Sequence, residues 1–593
     1  MGTLWPVSGW WTGHRDRYIL TAICAAYVVL VAIPAIRHGP AWDEYGHLPA
    51  GILHWRDGDY RPYRTNPPLV RMVAALGVLT EDIAAQLPPA PAGRRPEWPA
   101  AQVLVQRAGP ELVSYYARAR LVLLPLLLVG PVCVWLWAKS LWGRAAGLAA
   151  AVLYCTSPTV LANSALMTPD ATATALGVAA VFCYRQWLRD VASLRRAILA
   201  GLVLGAAVAS KFTMLLLVPF WFLFPLWLFG RNSRSLRLKG LTLWLVQVAL
   251  ATLVVNAVYR FDGTGVALGA LPFQSERMQA LVRCAQSLPI LAKVPVPLPA
   301  QFLLGLDEQL AEFDRGYWSY LSGTWKFGGW WYYYVYGLAI KETTALWVLF
   351  AWALLRTARI GVAPTEATLT FGPPALILAV LSAHTGFSHH IRYALPALPF
   401  VIVWAAAPLS STGRGSRDEP PPLRCRLTLA LVAAAVVSSL SQWPHSESFF
   451  SWLVGGPKQG AHYLLDSNID WGQDVAYLAR WLEEHPNEHV DGIVASVPFP
   501  VLEAFGLQPG RAPVWRAYRT NDGGVRLIDP SPGRYAVFVR LIYERWGYHY
   551  LRFLEPRVWV TPAVRIYEVT ADDIDRLRPH MQSCRHRFPP GPE

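Results

Sequence analysis

Charge is what this sequence has least of. Only 16% of its 593 residues are Asp, Glu, Lys or Arg, against roughly a quarter in a soluble globular chain. Acidic residues are the scarcer sign, 39 against 53 Lys and Arg, which leaves a formal net charge of +14. Cysteine is sparse too, with seven residues, no CxxC pair and no Cys/His spacing of a zinc ligand set. Cys24, Cys133, Cys155 and Cys183 fall inside apolar runs, where a thiol behaves as a small hydrophobe. Cys284 and Cys584 fall in segments assigned below to the exterior, so a disulfide between them stays open. These shortages exclude a soluble protein with a charged surface, a disulfide-stapled scaffold and a thiolate metal domain. No internal repeat is visible either.

Apolar sequence fills the space instead, with 54% hydrophobic residues and 27 Trp. Runs near residues 18–37, 119–138, 145–163, 169–187, 196–211, 213–230, 241–259, 337–356, 370–386, 392–409 and 427–443 make eleven candidate spans. A bilayer crossing needs about 20 apolar residues, so the fifth run is short. The predicted class is a polytopic α-helical membrane protein. The first run follows Arg15 and Arg17 and lacks a clear small-residue cleavage site, which reads as an uncleaved anchor.

The basic residues form no nucleic-acid patch. Lys139 and Arg144, then those in 185–196, 231–239, Arg356 with Arg359, and 414–426 all fall in loops on one side. The positive-inside rule makes that side cytoplasmic. An odd span count then puts the tail outside, and the expected location is a bacterial inner membrane. The chain divides into a membrane part, 1–443, with outer segments 38–118 and 260–336, and an extracytoplasmic α/β domain, 444–593. Strands are predicted at 490–497, 535–542 and 558–569, with a helix at 474–485. The aromatic cluster at 330–336 suits an interfacial belt or a sugar-stacking platform.

Charges set among apolar residues cost about 2.5–3.5 kcal/mol each on insertion scales, so they carry a function or a partner. Asp43 and Glu44 follow the first span in Ala41-Trp42-Asp43-Glu44-Tyr45-Gly46-His47, with Tyr63-Arg64-Thr65-Asn66-Pro67-Pro68-Leu69 later in the same segment. Asp170, Lys211, Lys341 and Arg392 also land near outer span ends, Arg392 being followed by Tyr393. Six charges at one membrane face point to a shared polar cavity. Each also has a plainer reading. Asp170 after Thr168-Pro169 suits a helix start, and Lys211 and Lys341 can snorkel to the interface. His47 with His54, and His389 with His390, read as interfacial rather than as metal ligands. Asp470 and Gln473, in Leu465-Asp466-Ser467-Asn468-Ile469-Asp470-Trp471-Gly472-Gln473-Asp474, fit a helix capping pair or a substrate-facing turn.

The acidic pair after the first span, the later Pro-Pro-Leu, Asp170 at the fourth span and Arg392-Tyr393 before a Pro-containing span resemble a known family. It is that of the C-type, membrane-embedded glycosyltransferases, in the protein O-mannosyltransferase and aminoarabinose-transferase branch. The resemblance covers about residues 18–410. Members often carry His before Pro-Pro, where this chain has Asn66. The resemblance implies a polyprenyl-phosphate sugar donor and a protein, lipid or polysaccharide acceptor hydroxyl. It implies a catalytic carboxylate, Asp43 first and Glu44 second, with Asp170, Lys211, Lys341, Arg392 and Tyr393 binding substrate. A phosphate leaving group needs no general acid, so one base suffices and the displacement inverts the anomeric centre. No cofactor is assigned, and a divalent cation held by Asp43 and Asp170 stays open. A multi-span transporter of a lipid-linked or anionic substrate is the alternative, opposed by the absence of repeats and of midplane charges.

Overall fold

The apolar runs become helices, and their lengths sort them. The computed structural model describes residues 14–93, 95–228, 234–287, 293–410, 422–519, 525–544 and 548–583. Arg231, Arg414, Arg417 and Cys584 lie outside the described residues, and Arg234 is placed by backbone alone. Among the described residues, six helical segments are long and apolar enough to cross a membrane: Arg15–Arg37, Glu97–Trp142, Ser235–Val258, Pro364–Ala383, Ile391–Leu409 and Leu423–Leu440. The number reaches eight if each of two bent pairs is one span. Length and apolarity therefore support six to eight spans rather than the eleven expected. The run at 169–187 is the helix Pro169–Leu188, diluted by Asp170, Thr172, Thr174, Arg185 and Gln186. The run at 196–211 gives a helix of only 15 residues, Leu194–Val208. The run at 213–230 divides into a 3-10 turn, Phe212–Leu217, and Val218–Leu228.

The two bent pairs satisfy each other. Arg144–Cys155 turns by 55° into Pro158–Ser164, and Tyr333–Lys341 turns by 113° into Thr344–Arg359. A broken helix leaves backbone groups unpaired in an apolar setting. Here Ser157 caps Val160 N–H at 3.2 Å and Thr343 caps Leu346 N–H at 3.4 Å. Across the gap, Ser157 Oγ donates to Glu342 at 2.8 Å and Thr159 Oγ1 donates to the Lys341 carbonyl at 3.2 Å.

Burial separates central from peripheral spans. The apolar stretch of Ile391–Leu409 is 89% buried within the protein, whereas those of Ser235–Val258 and Leu423–Leu440 are 22% buried. The latter pair present Leu245, Leu253, Leu429 and Val437 outward, as a lipid-facing surface requires. At one end of the bundle Asp16 pairs with Lys139 and Arg144, and Glu366 with Arg185 and Arg189. Arg356 and Arg424 converge on the Ser410 carbonyl.

Segment 38–118 is largely helical, with Trp42–Arg56, Leu69–Ala75, Asp82–Gln86 and Glu97–Ala108. Its buried Leu48, Ile52, Val70 and Leu104 share a core with Val475, Leu478, Phe538 and Ile566 of the tail. The tail carries a four-stranded sheet ordered Gly492–Val494, Gly533–Phe538, Val564–Val569, Val558–Trp559. The first pair is parallel and the others antiparallel, with Tyr535 opposite Tyr567. The helix expected at 474–485 is Val475–Glu484, buried along Val475, Leu478 and Ala479. Residues 539–542, expected to continue a strand, instead open the short helix Val539–Tyr543. The 330–336 aromatics split, Tyr333 and Tyr334 being buried while Trp331 is 69% exposed.

Candidate active site

The end of the bundle opposite those basic pairs gathers the predicted charges. Asp43 lies in the first turn of the Trp42–Arg56 helix. Asp170 lies in the first turn of Pro169–Leu188, where a carboxylate complements the helix N-terminus. Lys211 sits between Leu194–Val208 and the Phe212–Leu217 turn. Arg392 opens the central Ile391–Leu409 span. Arg392 Nη2 donates to Asp43 Oδ2 at 2.8 Å, while its Nη1 lies 3.7 Å from Asp170 Oδ2. Lys211 Nζ pairs with Asp170 Oδ1 and lies 4.6 Å from the Tyr393 ring centroid. Arg392 stacks 3.8 Å over the Trp471 ring. Four charges from four separate stretches thus alternate in sign along one chain of contacts.

A cavity of about 170 Å³ opens onto them. Its polar end is lined by Asp43, His47, Asn66, Asp170, Lys211, Arg392 and Tyr393, and its other walls by Phe212, Leu216, Leu310, Phe313 and Leu381. Burial and the nearby Arg71 and Arg392 guanidiniums hold the His47 imidazole well below its ordinary pKa. His47 is accordingly neutral and a weak base near neutral pH.

Two predicted residues are elsewhere. Glu44, one position from Asp43, is fully buried against Arg120, with Oε2–Nη2 at 2.5 Å. Its carboxylate also accepts Ala41 N–H at 2.8 Å and Met167 N–H at 2.7 Å. The first of these is the reciprocal half of a capping box. With its acceptor sites filled and no exposure, Glu44 holds the acidic turn in place instead of facing the cavity. Lys341 is also absent from the cavity wall. It lies at the 113° bend, where Nζ donates to the Glu447 and Asn468 carbonyls at 2.6 Å each.

The other histidines singled out in the sequence, His54, His389 and His390, are engaged as structural partners. His54 accepts from Arg71 Nε at 2.8 Å and lies 2.6 Å from the Asp59 carbonyl. His389 contacts the Trp318 carbonyl and His390 the Ser467 hydroxyl. Asp43 and Asp170 are bridged by Arg392. The tail motif works differently from a capping pair. Asp474, not Asp470, is the N-cap residue of Val475–Glu484. Asp470 accepts from Gly472 N–H and Ser496 Oγ, and Gln473 Oε1 accepts Trp471 N–H at 2.8 Å. The turn folded in this way delivers Trp471 beneath Arg392. Asn468 braces the other flank, accepting Ile391 N–H at 2.9 Å and donating to the His389 carbonyl at 2.6 Å. Trp471, Arg120 and the apolar wall carry no sequence signal for these roles beyond Trp471 lying in a motif already singled out.

Comparison with known proteins follows from this geometry. No curated protein matches the chain in sequence. Among solved structures, ArnT from Cupriavidus metallidurans bound to undecaprenyl phosphate is 11% identical, with a TM-score of 0.43 over 96% of this chain and 99% of that one. An Archaeoglobus fulgidus oligosaccharyltransferase in the apo form is 14% identical, with a TM-score of 0.44 over 84% of this chain and 64% of its own. The S. cerevisiae protein O-mannosyltransferase complex bound to the sugar donor is 15% identical, with a TM-score of 0.30 over 42% and 34%. Residues 65–261, which include Asn66, Asp170 and Lys211, match the family described as dolichyl-phosphate-mannose-protein mannosyltransferase. That match makes this stretch of the chain similar to a family of membrane mannosyltransferases that use a dolichyl-phosphate donor.

Proposed function

We propose that the chain transfers a sugar from a polyprenyl-phosphate donor to an acceptor hydroxyl at the extracytoplasmic face of the membrane, by inverting displacement with Asp43 as base. The observation that carries this reading is the cavity itself, which joins an apolar wall suited to an isoprenoid chain to a polar end holding Lys211 and Arg392. The name of the matched family, a dolichyl-phosphate-mannose-dependent mannosyltransferase, supports a polyprenyl-phosphate donor. The sugar is a hexose or pentose, and the acceptor a protein, lipid or polysaccharide.

The charge balance explains why this constellation suits the reaction. Two cations, Lys211 and Arg392, face two carboxylates, Asp43 and Asp170. The donor phosphodiester brings one negative charge. Arg392 has a forked head suited to phosphate, and its buried Nε has no hydrogen-bond partner. A donor phosphate therefore competes with Asp43 for Arg392 and frees that carboxylate to face the acceptor. In the reaction the bond from the anomeric carbon to phosphate oxygen breaks, and one to acceptor oxygen forms. The acceptor proton passes to Asp43. The leaving phosphate gains one negative charge as Asp43 loses one, so the net charge of the site is conserved. Lys211 and Arg392 stabilise the charge as it shifts from carboxylate to phosphate, and Asp170 positions both cations.

Purified protein incubated with a panel of polyprenyl-phosphate sugars provides the test, scored by donor consumption. Asp43→Asn should lower turnover by about 10²–10⁴-fold, the range for loss of a general base, with the melting temperature unchanged. Wild-type turnover by that variant would remove Asp43 from the mechanism. Substrate flux in proteoliposomes without donor cleavage would replace transfer with transport.

A further inference from the structure

Where the first span ends and the tail docks, three polar atoms from distant parts of the chain converge. They come from His38, His445 and Asp474, whose ligand atoms lie within 4.8 Å of one another, and the buried ones are His38 Nε2, His445 Nδ1 and Asp474 Oδ1. None has a hydrogen-bond partner. His38 is 4% and Asp474 0% exposed, and His445 is half-buried. Unpaired buried polar atoms are costly, about 1–3 kcal/mol each, and three converging on one point call for a shared partner.

The surroundings set these side chains in place. Asp474 Oδ2 accepts from Thr561 Oγ1 at 2.5 Å, which fixes the carboxylate and turns Oδ1 toward the histidines. Such an outer hydrogen bond is the usual support of a ligating carboxylate. The His38 and His445 rings lie near-parallel, at 6.3 Å and 17°, with Tyr477 packed against both. The contact of His445 Nδ1 with Asp474 Oδ1 at 3.6 Å leaves His38 Nε2 unmatched.

We propose that His38, His445 and Asp474 bind one divalent transition-metal ion, Zn²⁺ by preference, as a structural clamp between the first span and the tail. Two imidazoles and one carboxylate select a borderline ion over Mg²⁺ or Ca²⁺, which favour all-oxygen sets. The clamp takes no part in transfer. It reinforces two backbone bonds already joining the segments, Gly39 N–H to the Gln473 carbonyl at 2.8 Å and Trp42 N–H to the Trp471 carbonyl at 2.9 Å. Those bonds hold Asp43 and Trp471 on either side of Arg392, so the ion would fix the acidic turn relative to its guanidinium.

The test uses full-length protein purified with a tag free of histidine, and reads metal content and thermal stability instead of activity. Elemental analysis should find about one zinc per chain. Chelation should lower the melting temperature, and Zn²⁺, but not Mg²⁺, should restore it. His445→Gln should cut bound zinc at least tenfold and abolish the zinc-dependent rise in melting temperature. Should that variant fail to fold, cobalt loading of the chelated wild-type protein gives the same answer, the expected result being a tetrahedral visible absorption band at one equivalent. Protein that carries no zinc, gains no stability from it and shows no such band would overturn the proposal and leave a plain His445–Asp474 ion pair.

Discussion

Asp43 and Glu44 are neighbours in sequence with opposite fates. Asp43 keeps one oxygen on Arg392 and a quarter of its side chain exposed, 24%. Glu44 and Arg120 are both at 0%. Breaking a buried pair by removing one charge costs about 3–5 kcal/mol, because the other charge is left without compensation. Glu44→Gln is therefore expected to lower yield and melting temperature, in contrast to Asp43→Asn, and thermal denaturation of the two side by side checks it. The sequence displayed both carboxylates but not their partners, since Arg120 and Met167 are brought in by tertiary packing. Lys341 was legible as a costly charge for the same reason, yet its partners are two carbonyls of the tail.

Asp470 supplies a pH dependence at this same scale. Burial, with Asp474 nearby, pushes its carboxyl up to about 7, from roughly 3.9 in an unfolded chain. The folded state thus binds the extra proton between those values. Its stabilising contribution is present below about pH 4 and is lost as pH rises toward 7. Asp470→Asn, which mimics the protonated group, should melt higher than wild type at pH 8, and its melting temperature should fall less between pH 4 and 7. Equal slopes for the two proteins would refute this assignment.

Helices were legible where apolar runs were long and unbroken, as at Arg15–Arg37, Pro364–Ala383 and Leu423–Leu440. Breaks were not, because both bends are held by partners from other spans rather than by local sequence alone. The capping reading of Asp470 and Gln473 failed by one turn of register, since the helix begins only after Asp474. Close approaches between elements were equally hidden. Gly305, on Ala300–Arg315, faces the loop bearing Asn66, and a Cβ there would sit 2.1 Å from the Arg64 carbonyl oxygen. Backbone cannot yield as a flexible side chain does. Gly305→Ala should push this helix off the cavity rim, with a stability cost of about 1–3 kcal/mol, as for other overpacked sites. It should also raise KM for the donor more than it changes kcat, which steady-state kinetics would show.

Across the whole molecule, orientation links the loop charges to the proposed chemistry. The pairing of Asp16 with Lys139 and Arg144, and of Glu366 with Arg185 and Arg189, sets basic helix ends apart from the Asp43 cavity. The tail is not free-standing in this fold, because its Val475, Leu478 and Phe538 share a core with the helices of segment 38–118. Tail and cavity must therefore face the same side, which the positive-inside rule predicts to be the extracytoplasmic one. Cysteine labelling in intact cells tests the chain of reasoning in one step. In a background with Cys284 and Cys584 replaced by Ser, Lys458→Cys in the tail should react with a membrane-impermeant maleimide. Arg195→Cys, beyond the end of Pro169–Leu188, should react only after permeabilisation; both positions are exposed, so access rather than burial decides the outcome. The reverse pattern would put the proposed base on the cytoplasmic side and the donor's sugar in the wrong compartment, whereas labelling of both from outside would break the separation of the two bundle ends.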